Sequence, residues 1–308
     1  MVVEEVEAGR WMAMRELLAA SHSSPGVRTA RTQVLAAVAA GTTVVETWCR
    51  EEPRSADAEV MLARVAVERA LRAGRQLQDA AGVLARSARD RCWSAVNAAP
   101  GDPVPWVCLL ALGQLSSLSL LRDYRSPAPA GSFLPAGPWE LLHEAVRRDP
   151  VCREGHVRML QFWLSRPSHA MSSVWSFVTL VEGWAPAGSP LLVLPLLAHA
   201  EQYRLQRENR ASLGPRETGH WRLQESVIRR TDRAWRGWFR RWDREPPTAV
   251  DLNLLAHALW AGRRYAEAGE VFQAIGPHAS RIPWAYVATG NDGPEQAFLD
   301  ARAQCVRH

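Results

Sequence analysis

Apolar residues recur three and four positions apart along almost the whole chain, and no stretch of alternating Val, Ile or Thr is long enough to make a strand. A polypeptide patterned in this way hides its apolar stripes only by laying helix against helix, so the expected class is all-α, built of stacked antiparallel helix pairs. Helices are expected over 9–20, 26–40, 43–51, 56–73, 76–98, 104–122, 138–148, 153–165, 168–184, 189–208, 221–243, 249–262, 264–275 and 295–306. In the helix over 56–73, Val60, Val67 and Leu71 share a face, and Glu68 stands four residues before Arg72 in the favourable ion-pair order. Ser55 and Asp251 sit near helix starts, and Gly137-Pro138 and Gly276-Pro277 fall at boundaries.

A pattern echoes through these helices. One helix closes, a proline follows within a short turn, and a second apolar helix begins, with the prolines at Pro53, Pro100, Pro150, Pro186 and Pro277. The first four are 47, 50 and 36 residues apart, the length of a helix pair with its loops, and spacings of this size point to stacked helical repeats. Ala266-Glu267-Ala268 followed by Val271-Phe272 looks like the closing helix of a tetratricopeptide unit, and Pro100-Gly-Asp-Pro-Val-Pro-Trp106 like the opening of one. Asp149-Pro150, His156, Met159-Leu160, Phe177 and Ala185 to Leu191, with the tail from Phe272 through Pro283-Trp284 to Phe298 and Arg302, resemble helical-repeat proteins of unknown function recurrent in actinobacteria. The resemblance runs from about residue 48 onward. It implies an irregular tetratricopeptide-like superhelix, and neither a reaction nor a ligand.

Two interruptions divide the helices into blocks 1–123, 138–208 and 221–308. The stretch 124–137, rich in Pro, Gly and Ser, cannot hold a helix and is expected to be a flexible loop, and a second break covers 209–220. With so many apolar helix faces, the blocks are expected to stack as one domain, 1–308.

All 37 basic residues are Arg, and Ile occurs only at Ile228, Ile275 and Ile282, the usage of a very GC-rich genome. The net charge, 37 − 32 = +5, permits anionic partners without demanding them. The first residues form neither a positive n-region nor an apolar h-region, so a cytoplasmic location is expected. The uncharged stretches 103–121 and 183–200 carry Pro and polar residues and read as buried helices. Cys49, Cys92, Cys108, Cys152 and Cys305, odd in number and without any Cys-x-x-Cys pair, read as reduced, buried thiols.

The segment 228–244 is the most unusual local feature. At helical pitch Arg229, Arg233, Arg236, Arg240 and Arg244 form one stripe, with Ile228, Trp235, Trp238, Phe239 and Trp242 on the far side. Guanidinium groups so arrayed suit an acidic protein or peptide partner, or phosphates, and the Trp face alternatively suits a membrane interface. The plainer alternative is a core helix whose solvated face uses Arg because the chain holds no Lys. The 14 Trp residues mostly fall at core spacing, Trp93, Trp106, Trp139, Trp163, Trp175 and Trp260 among them; any that line a concave surface would make a peptide or small-molecule groove. His143, His156, His169, His199 and His257 lie on expected helices, and Glu-x-x-His occurs once, at Glu140 to His143, where a carboxylate-bridged dinuclear bundle uses it twice. Satisfied histidines are the simpler reading of that set. Gly-x-Gly-x-x-Gly, Walker and nucleophile-elbow motifs are absent from the sequence, and no cofactor is implied.

The expectation is therefore a helical-repeat binding or scaffold protein that recognises a protein or peptide partner through the stripe Arg229 to Arg244. The rivals are an all-α enzyme of specialised metabolism using His143 or His156 in an interhelical pocket, and a nucleic-acid-binding regulator.

Overall fold

Each of the five prolines of the echo lies in a turn between consecutive helices. The computed structural model describes residues 2–118, 121–166, 170–211, 225–242, 247–288 and 293–306. Among these residues there is no strand, and one isolated bridge joins Ser126 to Gly137. The class is all-α, with helices packed in pairs. The chain separates into two compact units, Met1–Ser176 and Phe177–His308. The division falls at neither of the two interruptions read from the sequence but inside a helix, because an unbroken backbone ladder does not decide which core its side chains join.

The first unit contains α1 (Val2–Glu7), α2 (Met12–Ala19), α3 (Pro25–Ala39), α4 (Val44–Glu51), α5 (Ala56–Arg75), α6 (Ala81–Ala98), α7 (Val104–Leu112), α8 (Trp139–Arg148) and α9 (Arg153–Leu164), and α10 (Ala170–Trp184) crosses into the second. Gly9, at φ +79°, separates α1 from α2 where one helix over 9–20 is expected. Ser55 starts α5 by accepting from the Ala58 N–H, and the Glu68–Arg72 pair forms at 2.7 Å. Every residue of α7 is buried, and it packs against α5, α6, α8 and α9. That central position explains its uncharged sequence. The helix stops at Leu112 instead of running to 122; Gly113 follows, and single 3-10 turns form at Ser116–Leu118 and Arg122–Tyr124.

Two buried arginines tie this unit together. Arg28 donates to Asp57 at 2.7 Å and to Asp102 at 2.7 Å, while the other Asp102 oxygen accepts the Val104 N–H, so α3 is fastened to the starts of both α5 and α7. Arg64 pairs with Glu154 at 2.5 Å and donates to the Cys108 sulfur at 3.6 Å, joining α5, α7 and α9. Burial opposes the charged form of Glu154, but the Arg64 and Arg158 guanidinium groups outweigh it and hold the carboxyl below its usual range.

In the second unit, α11 (Leu194–Ala211) follows a 3-10 turn at Pro190–Val193, and α12 (Glu225–Ala234) runs into a π-helical turn, Trp235–Phe239. Then come α13 (Ala249–Ala261), α14 (Tyr265–Ile275), the short α15 (Arg281–Trp284) and α16 (Pro294–Val306). α13 and α14 form a tight pair joined by three residues, hence antiparallel, and α16 packs against α14. Thr248 caps α13, accepting from the Asp251 N–H while its hydroxyl donates to the Asp251 carboxylate at 2.8 Å. The core is aromatic: Trp284 stands between His257, Phe272 and Phe298, and its indole N–H donates to Asn253 at 2.7 Å.

Candidate functional site

The arginine stripe is only partly a stripe. At Trp235 the helix widens into the π-turn, which breaks the pitch on which the alignment depends. Trp235 and Trp238 are buried as expected, but Ile228 and Trp242 are 48% and 44% exposed; the buried positions of α12 are Val227, Thr231 and Ala234. Three of the four described arginines of the stripe meet an acceptor within their own unit. Arg229 pairs with Glu225 at 2.7 Å, Arg233 donates to the Glu182 carbonyl at 2.6 Å, and Arg236 lies 4.0 Å from Asp232. Arg240 pairs with Glu270 at 2.8 Å and covers the Trp235 ring. Arg244 and His169 lie outside the described residues, as does 212–220 of the expected break, whose first residues, 209–211, continue α11.

The expected flexible loop is tied at both ends. Ser126 accepts from the Gly137 N–H at 3.0 Å, its hydroxyl donates to the Gly137 carbonyl and accepts from the Glu140 N–H, and the buried Tyr124 hydroxyl donates to the Leu109 carbonyl. A serine side chain thus closes the base of the loop and caps α8, a role that its Pro and Gly content does not reveal.

This connection forms one rim of an open cleft of about 620 Å³ in the first unit. α6 contributes Trp93, α7 Trp106, α8 Trp139, Glu140, Leu141, His143 and Glu144, the 3-10 turn Asp123, and the loop Pro127 and Pro129. Trp93 and Trp106 meet edge to face at 5.6 Å, and Trp139 lies 6.0 Å from Trp163 behind it. The chain's own guanidinium groups rest on two of these rings, Arg89 on Trp93 and Arg148 on Trp106 at 4.7 Å.

Electrostatically the lining is acidic: Asp123, Glu140 and Glu144, with His143 beside them and no arginine. Arg89 answers Asp123 at 2.9 Å, and Arg147 and Arg148 answer Glu144 at 2.8 and 2.6 Å. Burial raises the Glu144 carboxyl slightly, but those two guanidinium groups prevail and hold it below its usual value. The exposed Glu140 and His143 side chains have no hydrogen bond or ion pair among the described residues. The one Glu-x-x-His of the sequence therefore faces this cleft, together with tryptophans whose spacing reads as core. Helix spacing alone could not separate a ring buried on one side from one buried on both.

The other candidates are enclosed. His156, buried on α9, donates from Nδ1 to the Cys152 carbonyl, 3.0 Å away, and burial lowers its pKa to about 4. His199 and His257 are buried and lowered to about 3. The five cysteines are free thiols, four of them buried. Cys92 and Cys108 are buried neighbours whose protonation is linked. Burial and its neighbour push Cys92 well up; at Cys108 the Cys92 thiol and Arg64 overcome burial and lower it. Among the described residues no three His, Cys, Asp or Glu side chains gather as a metal site would require, and no helix is long and apolar enough to cross a membrane.

In class this is an all-α protein of paired helices with an aromatic, acid-lined cleft in its first unit. No protein-family model matches the chain, and no curated protein and no solved structure matches it. The likeness to tetratricopeptide-type proteins accordingly stands on the residues quoted above and on the helix pairs.

Proposed function

We propose that the chain is a binding protein for a protein or peptide partner, and that a segment of that partner lies in the cleft formed by α6, α7, α8 and the loop 124–137. The observation that carries the reading is the cleft itself: open, walled by tryptophans, and rimmed by polar side chains, of which Glu140 and His143 are unengaged. Large rigid rings beside a few adaptable polar groups give contact area at little entropic cost, the composition of peptide grooves. Phe133, fully exposed on the same loop, adds an apolar side chain that no contact within the chain explains. The pairing of helices agrees with the same role, since helix pairs in repeat proteins leave open surfaces for a partner.

Arginines 229, 233 and 240 take a structural part in this proposal, because each already donates to an acceptor, while Arg236 is exposed with Asp232 4.0 Å away. The test is placement of a photoreactive p-benzoylphenylalanine at His143, on the cleft, and at Val83, exposed and away from it. The proposal predicts crosslinks from position 143 concentrated in one short segment of one partner, which as a synthetic peptide binds the protein one to one. Equal labelling from both positions, or a segment that fails to bind once isolated, contradicts it.

A further inference from the structure

The charge on the cleft wall identifies the chemistry of what it holds. This chain carries 37 arginines and a net charge of +5, yet the cleft lining has three carboxylates and no guanidinium. Asp123 is paired with Arg89 and Glu144 with Arg147 and Arg148, which leaves Glu140 as the carboxylate of the lining without an ion pair. Glu140 adjoins Trp139 in sequence, and both belong to the first turn of α8. The wall also shows which group its rings accept, since Arg89 lies 5.8 Å from the centroid of Trp93 and Arg148 lies 4.7 Å from that of Trp106. A delocalised cation stacks on an indole face and donates a fork of N–H groups to a carboxylate, and Glu140 is the carboxylate free to accept it.

Resting on the cleft as the partner site, we infer that its occupant is a basic peptide segment, with an arginine side chain seated among the tryptophans and paired with Glu140. The cleft, lined in part by Pro127 and Pro129, is open, which suits an extended chain better than an enclosed small molecule. The overall positive charge of the protein disfavours indiscriminate capture of basic peptides, so any binding must come from this local reversal of sign.

The probes are three fluorescein-labelled octapeptides in which alanine alternates with arginine, with its neutral isostere citrulline, or with glutamate. Fluorescence anisotropy is read against the whole protein and against Glu140→Gln, an exposed and nearly isosteric change that leaves the fold intact. The arginine peptide should bind at least about tenfold more tightly than the citrulline peptide, and Glu140→Gln should remove most of that preference. Equal binding of arginine and citrulline peptides, or a preference untouched by Glu140→Gln, overturns the inference. A crosslinked partner segment that seats at position 143 but carries no basic residue also overturns it and leaves the binding role standing. Absence of a single segment at position 143 defeats the binding role first.

Discussion

At the scale of single residues, the first unit depends on charges placed where sequence patterning expects hydrophobes. Arg64 and Glu154 are both buried, 2.5 Å apart, in a region of apolar helix faces. Removing one partner strands the other in low dielectric. Glu154→Gln should therefore destabilise the first unit by about 3 kcal/mol, while Arg64→Met combined with Glu154→Leu should recover most of the loss. Urea unfolding of the three proteins, followed by hydrogen exchange at α5 and α7, checks this; equal stability of single and double variants contradicts it. A second prediction concerns His257, buried against Trp260 and Trp284, whose pKa burial lowers to about 3. An unfolded histidine protonates near ~6.5, so below that pH the unfolded chain takes up a proton that the folded one refuses. The contribution is complete above ~6.5 and is lost progressively as pH falls toward the folded value, by up to about 1.4 kcal/mol per pH unit. His257→Leu should flatten that part of the decline in denaturation midpoint between about pH 6.5 and 5. An unchanged slope would exclude the assignment.

Elements were the most legible level, and their failures have local causes. α3, α5, α8, α9, α13 and α14 lie within a residue or two of the spans read from apolar spacing, because periodicity and end signals agree there. α5 and α13 begin at side chains made to cap them. Thr248→Ala should cost about 1 kcal/mol in the second unit, measurable as a lowered denaturation midpoint, whereas Thr248→Ser should cost little. The stretch 104–122 was read too long since apolar content continues past Gly113 after helical geometry ends. The four-residue α15 falls below the length at which periodicity carries information. The arginine stripe shows a deeper limit: a π-turn changes pitch without altering composition, and arginine placed to serve Glu225, Glu182 or Glu270 looks the same in sequence as arginine placed to serve a partner. Charge reversal of Arg233, Arg236 and Arg240 together should lower the stability of the second unit by about 1–2 kcal/mol, the modest value of exposed pairs, and leave partner binding at its wild-type strength. Loss of binding without loss of stability would return the stripe to the role its spacing implied.

For the molecule as a whole, the cleft arises where helices from far-apart stretches meet, and this is why its residues were read one by one and not as a site. Trp93, Trp106 and Trp139 each sit at core spacing, Asp123 ends the first block, Pro129 lies in what reads as a loop, and only Glu140 and His143 carry a local motif. Their meeting depends on the wholly buried α7, which presents Trp106 to α6 and to α8, and on Ser126, which fixes the loop against the start of α8. The central claim is that this cleft, and no other surface, holds the partner. The most direct measurement is calorimetric titration of the segment crosslinked at position 143, as a synthetic peptide, into the wild-type protein and into His143→Trp, an exposed substitution that fills the cleft without touching the core. The account predicts one-to-one binding by the wild type and at least about tenfold weaker binding by the variant at equal thermal stability. Equal affinity for the two proteins would contradict it.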